Sequence, residues 1–272
     1  MNNSVAIGLI SAALGFASLA AENNQNALST SAGKGLAAMQ QAAGANKYLF
    51  AFVYEKDDEA TRAARKTLDE GLKTIAPAPV VVAVDRTAAA ESELVAKFGL
   101  AGAPMPLVLA IAPNGAVTGG FKATDATQER LQAAVASPCM QQCLKALQER
   151  KLVFICLQNA RTAANEGAMK GVNEFVADPR FAQATQIVKV DPTDTKESKL
   201  LAQLKVDPKA KTANTALLAP PGVVTARSAG GTRKIRAISL TVNSRDERSC
   251  ASSGLNASGL KVRPPVKTPG VY

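Results

Sequence analysis

The chain has 272 residues, 47% hydrophobic and 20% charged, which suits two ordinary cores and is too apolar for a disordered chain. It contains no histidine, which excludes Ser-His and Cys-His nucleophile pairs and every histidine-containing metal site. The formal charge of +10 lies toward one end: 11 basic against 12 acidic residues in 1–135, 12 against 8 in 136–225, and 9 against 2 in 226–272. The first half therefore has no basic character to explain, and nucleic-acid binding is not expected of it.

The N-terminus, MNNSVAIGLISAALGFASLAAENNQ, has no charged side chain before Glu22. The apolar run Val5 to Ala21 and the small-x-small triplet Ser18-Leu19-Ala20 read as a cleaved secretory signal over 1–20, followed by a polar linker over 21–32. The expected location is outside the cytoplasm, periplasmic or secreted. A cytoplasmic chain with an N-terminal helix, or a retained anchor, is the alternative reading.

Beyond the linker the chain repeats itself. ESELVAKFGL at 91–100 matches ESKLLAQLKV at 197–206, and VVVAVDR at 80–86 matches QIVKVDP at 186–192, both offset by 106. LAIAPNGAV at 109–117 resembles ALLAPPGVV at 216–224, and AAMQQAAGANKYLFAFVY at 37–54 resembles PCMQQCLKALQERKLVFICL at 138–157. Each unit opens with a helix and a short apolar strand, YLFAFVY or KLVFICL, suited to burial on both faces. An amphipathic helix follows, carrying Ala60, Ala64, Leu68 and Leu72 after Asp57 or Asp58 as N-cap, or Met169, Val172, Phe175 and Val176 in the second unit. A strand, a helix (91–98 or 196–204) and a hairpin turning at Pro113-Asn114-Gly115 or Pro220-Pro221-Gly222 complete the pattern. A helix over Ala126–Ala136, capped by Asp125 with Gln128 three residues on, closes the first unit.

Helix, strand, helix, strand, helix, strand, strand, helix resembles the order of a thioredoxin-like domain. The resemblance implies an α/β chain of two tandem thioredoxin-like domains, each a central mixed sheet flanked by helices, over 33–136 and 137–244. Residues 245–272 are expected to be a basic, disordered tail. In that superfamily a cis-proline begins the third core strand. Pro106, preceded by Met105 and followed nine residues later by Gly115, has that spacing, and the resemblance implies a cis Met105-Pro106 bond lining a groove. The same position in the second unit holds Ala213 or Asn214.

The family's dithiol belongs at the tip of the helix after the first strand, where the helix N-terminus lowers a thiol pKa. Here those positions read Asp58-Glu59-Ala60-Thr61 and Thr162-Ala163-Ala164-Asn165. The first cysteine of the chain is Cys139, so Asp58, Thr61, Thr162 and Asn165 stand where sulfur would be needed. The usual exchange site is therefore missing from both units.

Four cysteines remain: Cys139, Cys143, Cys156 and Cys250. Ser137 and Pro138 mark the start of a helix that places Cys139 and Cys143 on one face. Cys143 and Cys156 read most simply as core. Cys139 could pair with Cys156 or Cys250 in an exported protein, and four cysteines allow three full pairings. Two thiolates make only half a zinc site, so no metal and no cofactor is expected.

The expectation is a non-catalytic, exported protein that binds a protein or peptide partner or serves as a scaffold, with Met105 and Pro106 in its groove. The alternative is a thiol-disulfide redox or metal-handling protein using Cys139 and Cys143. A weak polyanion contact through the basic tail is a further possibility.

Overall fold

A computed structural model of the chain describes residues 33–230. The expected signal segment, the basic tail and Cys250 lie outside the described residues. Within them are two four-stranded mixed sheets of the same topology, with strand orders β2-β1-β3-β4 and β6-β5-β7-β8.

In the first unit, α1 (Lys34–Gly44) leads into β1 (Leu49–Tyr54), a strand buried along nearly its whole length. That explains its run of LFAFVY without polar alternation: both faces are covered. The helix α2 (Glu59–Leu72) crosses over to β2 (Val80–Asp85), which pairs parallel with β1 in the register Leu49 with Val80. A short turn, Ala89–Glu91, and α3 (Ser92–Lys97) then lead to β3 (Leu107–Ile111), antiparallel to β1. β4 (Val117–Lys122) returns through a hairpin in which Gly115 takes φ +80°, the backbone region that favours glycine. Last comes α4 (Gln128–Ala134).

Two layers of side chains cover this sheet. Leu36, Ala42, Val53, Val84, Leu94 and Ile111 form one core beneath α1 and α3. Phe50, Phe52, Leu68, Val108, Phe121 and Leu131 form the other beneath α2 and α4. On α2 the buried set is Thr61, Ala64, Leu68 and Leu72. Ala60, expected on the apolar stripe, is exposed, and Thr61 faces the core instead. The cap of α4 also differs from the sequence expectation. Thr127, not Asp125, occupies the N-cap and accepts from the Arg130 N–H, because Asp125 still belongs to the short Ala123–Asp125 turn.

The second unit repeats the plan with α5 (Pro138–Gln148), β5 (Leu152–Leu157), α6 (Asn165–Val176), β6 (Thr185–Val190), α7 (Ser198–Gln203), β7 (Asn214–Ala219) and β8 (Val223–Ala229). Met140, Cys143, Leu147, Ile155 and Leu200 pack under α5 and α7. Phe154, Cys156, Val172 and Leu217 pack under α6. Gly222 at the hairpin again has positive φ. The described residues end at 230, one residue past β8.

Contacts across and at the connection join the units, among them Gln141 donating to the Ala136 carbonyl at 2.9 Å and Lys199 Nζ to the Gln132 carbonyl at 3.5 Å. The Tyr48 hydroxyl accepts from the Ala136 N–H at 2.8 Å and donates to the Ala136 carbonyl at 2.9 Å, clasping the connection between them. The Gln148 side chain accepts from the Val117 N–H at 3.0 Å and donates to the Val117 carbonyl at 2.7 Å. Its amide thus takes the place of a neighbouring strand on the exposed edge of β4.

One buried device occurs in both copies. Glu91 and Glu197, equivalent in the repeat, are 5% and 2% exposed. Glu91 accepts from the Gly35 N–H in the first turn of α1, at 3.2 Å to Oε2. Glu197 accepts from the Cys139 N–H at 3.0 Å and from the Ser137 hydroxyl in the first turn of α5. Each carboxylate satisfies helix-terminal donors that would otherwise be buried without partners. A Cβ on Gly33 would lie 2.3 Å from the Ala90 carbonyl oxygen and 2.6 Å from Glu91 Oε2, so the close approach requires glycine there.

Candidate functional site

The parallel pair β1 and β2 ends where three segments meet: the turn into α2, the end of β2, and the loop before β3. Asp58 is the N-cap of α2, and its Oδ1 accepts from the Thr61 N–H at 2.8 Å. Hydrogen bonds from Thr61, the main-chain one first, hold the Asp58 carboxyl below its usual range. The two positions where a dithiol would stand are thus joined as a polar capping pair.

In the loop before β3, the Met105-Pro106 peptide bond is cis. Pro106 sits immediately before β3, and its carbonyl accepts from the Ala123 N–H at 2.9 Å. Both Met105 and Pro106 are half-buried. Both units have the thioredoxin-like fold.

That assignment rests on the strand order and flanking helices common to both units, with a cis-proline immediately before β3 in the first. No protein-family model and no curated protein matches the chain. Solved structures with similarity to it include the zinc-bound form of human ERp44, at 10% identity and TM-score 0.31 over 70% of this chain and 52% of that one. ERdj5 form II matches at 14% identity and TM-score 0.28, over 77% of this chain and 29% of that one. The first two thioredoxin domains of Saccharomyces cerevisiae Eps1p match at 9% identity and TM-score 0.27, over 70% and 87%. The chain spans about half the length of the ERp44 structure it matches.

An arginine not singled out in the sequence organises the first thioredoxin-like domain. Arg86, just past β2, donates through Nη1 to the carbonyls of Leu100, Ala101 and Ala103 at 3.2, 3.3 and 2.9 Å. Its Nη2 pairs with Glu55 in the turn before α2. One guanidinium therefore ties the loop entering Met105-Pro106 to the segment preceding the helix tip. Five donors in a rigid plane make this possible, which a lysine could not reproduce. The main-chain N–H and C=O of Met105 form no hydrogen bond among the described residues.

In the second domain the same corner is arranged differently. The connection from β5 to α6 spans 158–164, against 55–58 for that from β1 to α2. The N-cap is Ala164 in the left-handed region, φ +63°. The residues at the helix tip equivalent to Asp58 and Thr61 are accordingly Ala164 and Gly167, two positions beyond Thr162 and Asn165. The latter pair still meets: Thr162 Oγ1 lies 2.6 Å from Asn165 Oδ1, and both side chains bond Asn159. They build a polar turn that delays the start of the helix. Ahead of β7, the Ala163 N–H donates to the Lys211 carbonyl at 2.8 Å, and the Ala213 N–H donates to the Ala163 carbonyl at 2.9 Å. The loop has paired with the segment that corresponds to 104–106. Pro106 could not support such a pairing, since it has no N–H to offer.

Cys139, Cys143 and Cys156 are free thiols. Cys143 and Cys156 are in the core, on opposite faces of the second sheet. Burial pushes the Cys139 thiol up to about 12, reinforced by the neighbouring Glu197 carboxylate. Burial takes Cys143 to about 12 as well, and Cys156 to about 11. A reactive cysteine needs the opposite environment. Among the described residues no group of three or more His, Cys, Asp and Glu side chains is placed to hold a metal ion, and no helix is long and apolar enough to cross a membrane.

Proposed function

We propose that the chain is an exported, non-catalytic binding protein whose first thioredoxin-like domain holds an extended peptide segment of a protein partner beside Met105 and Pro106. The observation that carries this reading is the contrast between the two copies. The second domain fills the main-chain positions before its third strand with its own loop at Ala163. The first has the shorter loop and leaves the Met105 peptide groups unpaired among the described residues. Unpaired backbone at a strand end is a template for another extended chain, with main-chain bonds giving affinity and side-chain pockets giving specificity.

Catalysis at this groove would require a nucleophile at the α2 tip, and the chain has Asp58 and Thr61 there. The redox alternative through Cys139 and Cys143 is disfavoured by thiols that burial keeps protonated at neutral pH. Export rests on the apolar run of residues 5–21.

Fluorescence anisotropy with labelled, unstructured peptides of apolar, basic and acidic composition tests the reading. At least one class should bind saturably, Met105→Ala should weaken it, and Met105→Asp should abolish it. Binding unaffected by either substitution, or binding by no class, would overturn the groove.

A further inference from the structure

Beside the loop that follows α7 lies a half-open surface pocket of about 230 Å³. Its floor is apolar, formed by Leu157 at the end of β5 with Leu204, Val206 and Ala216. Its rim carries Lys205, Arg227, Asp207 and Asn214. The first domain has a different arrangement at the equivalent loop, where Arg86 gathers the carbonyls of 100, 101 and 103. The repeat puts Pro192 in the place of Arg86, and proline has no donor with which to hold the loop.

The two cations on the rim are not consumed by the fold. Arg227 donates through Nη1 to the Leu204 carbonyl at 2.5 Å, which orients the guanidinium while its other nitrogens have no protein partner among the described residues. Lys205 forms no ion pair there either. Asp207 is engaged locally, accepting from the Lys209 N–H at 2.8 Å.

The residue type at 205 is itself informative. Lys205 has φ +51° at the end of α7, with its N–H donating to the Ala202 carbonyl at 3.0 Å. The equivalent residue in the first domain is Gly99, φ +63°, with the matching bond to Ala96. Left-handed backbone at a helix C-terminus favours glycine and disfavours a side chain. The second copy therefore carries a lysine where its own fold would be better served by glycine, and that lysine lines the pocket. Locally unfavourable backbone of this kind gathers at functional sites.

From these features we infer that the second domain has a binding site for a small organic carboxylate, with a short aliphatic chain on the Leu157, Leu204 and Val206 floor and its carboxylate between Lys205 and Arg227. The volume of about 230 Å³ is below the roughly 300 Å³ at which drug-sized pockets begin. The ligand is therefore limited to a short chain. A carboxylate suits the rim because charge-assisted bonds to Arg and Lys are the strong ones.

The test is titration of the full chain at constant ionic strength with sodium hexanoate, followed by backbone amide resonances, with hexan-1-ol and hexylammonium as controls. Hexanoate should shift Lys205, Asn214 and Arg227 saturably, hexan-1-ol should bind about tenfold more weakly, and hexylammonium should not bind. Lys205→Gly separates function from fold: it should raise the unfolding temperature, because glycine fits the left-handed position, and lower hexanoate affinity about tenfold. Arg227→Gln should lower affinity by a similar factor. Equal binding of hexanoate and hexan-1-ol, binding of hexylammonium, full affinity in Lys205→Gly, or no saturable shift with hexanoate would each overturn the site. None of these results depends on whether peptides bind beside Met105.

Discussion

Asp58 and Thr61 are three residues apart at the tip of α2, and the Asp58 carboxylate accepts the Thr61 N–H at 2.8 Å. The tip thus keeps the spacing of the dithiol positions while its chemistry is that of an N-cap. Asp58→Ala should lower the unfolding temperature by removing the cap. The hydrogen bonds depress the folded-state pKa, so their contribution is present above the unfolded value near 3.8 and is lost as pH falls through the folded value. Thermal melts of the parent between neutral pH and pH about 3 should show a decline that Asp58→Asn lacks in part.

Sulfur restored at the tip should behave as sulfur there normally does. Asp58→Cys/Thr61→Cys should form a disulfide under air and acquire dithiol-dependent insulin reduction, with one thiol of depressed pKa at the helix N-terminus. A double variant whose thiols titrate near 8.5 and reduce nothing would show that the corner is not organised like an exchange site.

The native cysteines should be unreactive. Iodoacetamide at pH 8 should modify Cys139, Cys143 and Cys156 only after denaturation, as read by mass spectrometry. Their folded pKa values are raised, so the linked stability is intact below the unfolded value near 9 and is lost as pH rises from there toward about 12. Cys143→Ala, with its smaller side chain in a filled core, should cost about 1 kcal/mol in urea unfolding.

Arg86 gathers three carbonyls and Glu55, so its loss should be felt at Met105. Arg86→Met should destabilise the first domain by about 1–3 kcal/mol, since charge-assisted bonds to a partly buried loop disappear. Hydrogen exchange should speed up in 100–106 while 206–213 is unaffected. Arg86→Lys should resemble Arg86→Met, because one ammonium cannot span these acceptors.

The paired carboxylates at the helix starts make a matched prediction. Glu91→Ala leaves the buried Gly35 N–H, and Glu197→Ala the part-buried Cys139 N–H and the Ser137 hydroxyl, without this acceptor, and each should cost about 1–3 kcal/mol in chemical denaturation. Gly33→Ala, forced against the Ala90 carbonyl and Glu91, should cost about as much.

Whereas the cis Met105-Pro106 bond was what the resemblance to thioredoxin-like domains implied, the chain order of the strands and both hairpins were legible because they depend on local patterns: apolar runs and a Gly after a Pro-containing turn. Cys143 and Cys156 were legible as core for the same reason. Arg86 was not, because its acceptors are main-chain carbonyls whose convergence is set by the folded loop. The signal was present in the repeat, where VVVAVDR and QIVKVDP part at that residue. Glu91 and Glu197 were not singled out in the sequence. Their identity at the same place in both copies was the available clue, and their burial shows its reason. The second helix tip was displaced because Thr162, Asn165 and Asn159 form a turn among themselves, a competition between local side-chain bonds and helix that a spacing argument does not resolve.

The measurement that bears most directly on the difference between the two copies follows backbone amide resonances of the full chain while unstructured peptides are added. Shifts should appear at Met105 and in the Asp58–Thr61 turn, with Thr212–Asn214 unmoved because Ala163 already occupies that edge. Equal shifts at both corners, or shifts confined to residues remote from Met105, would contradict an open first groove and a closed second one.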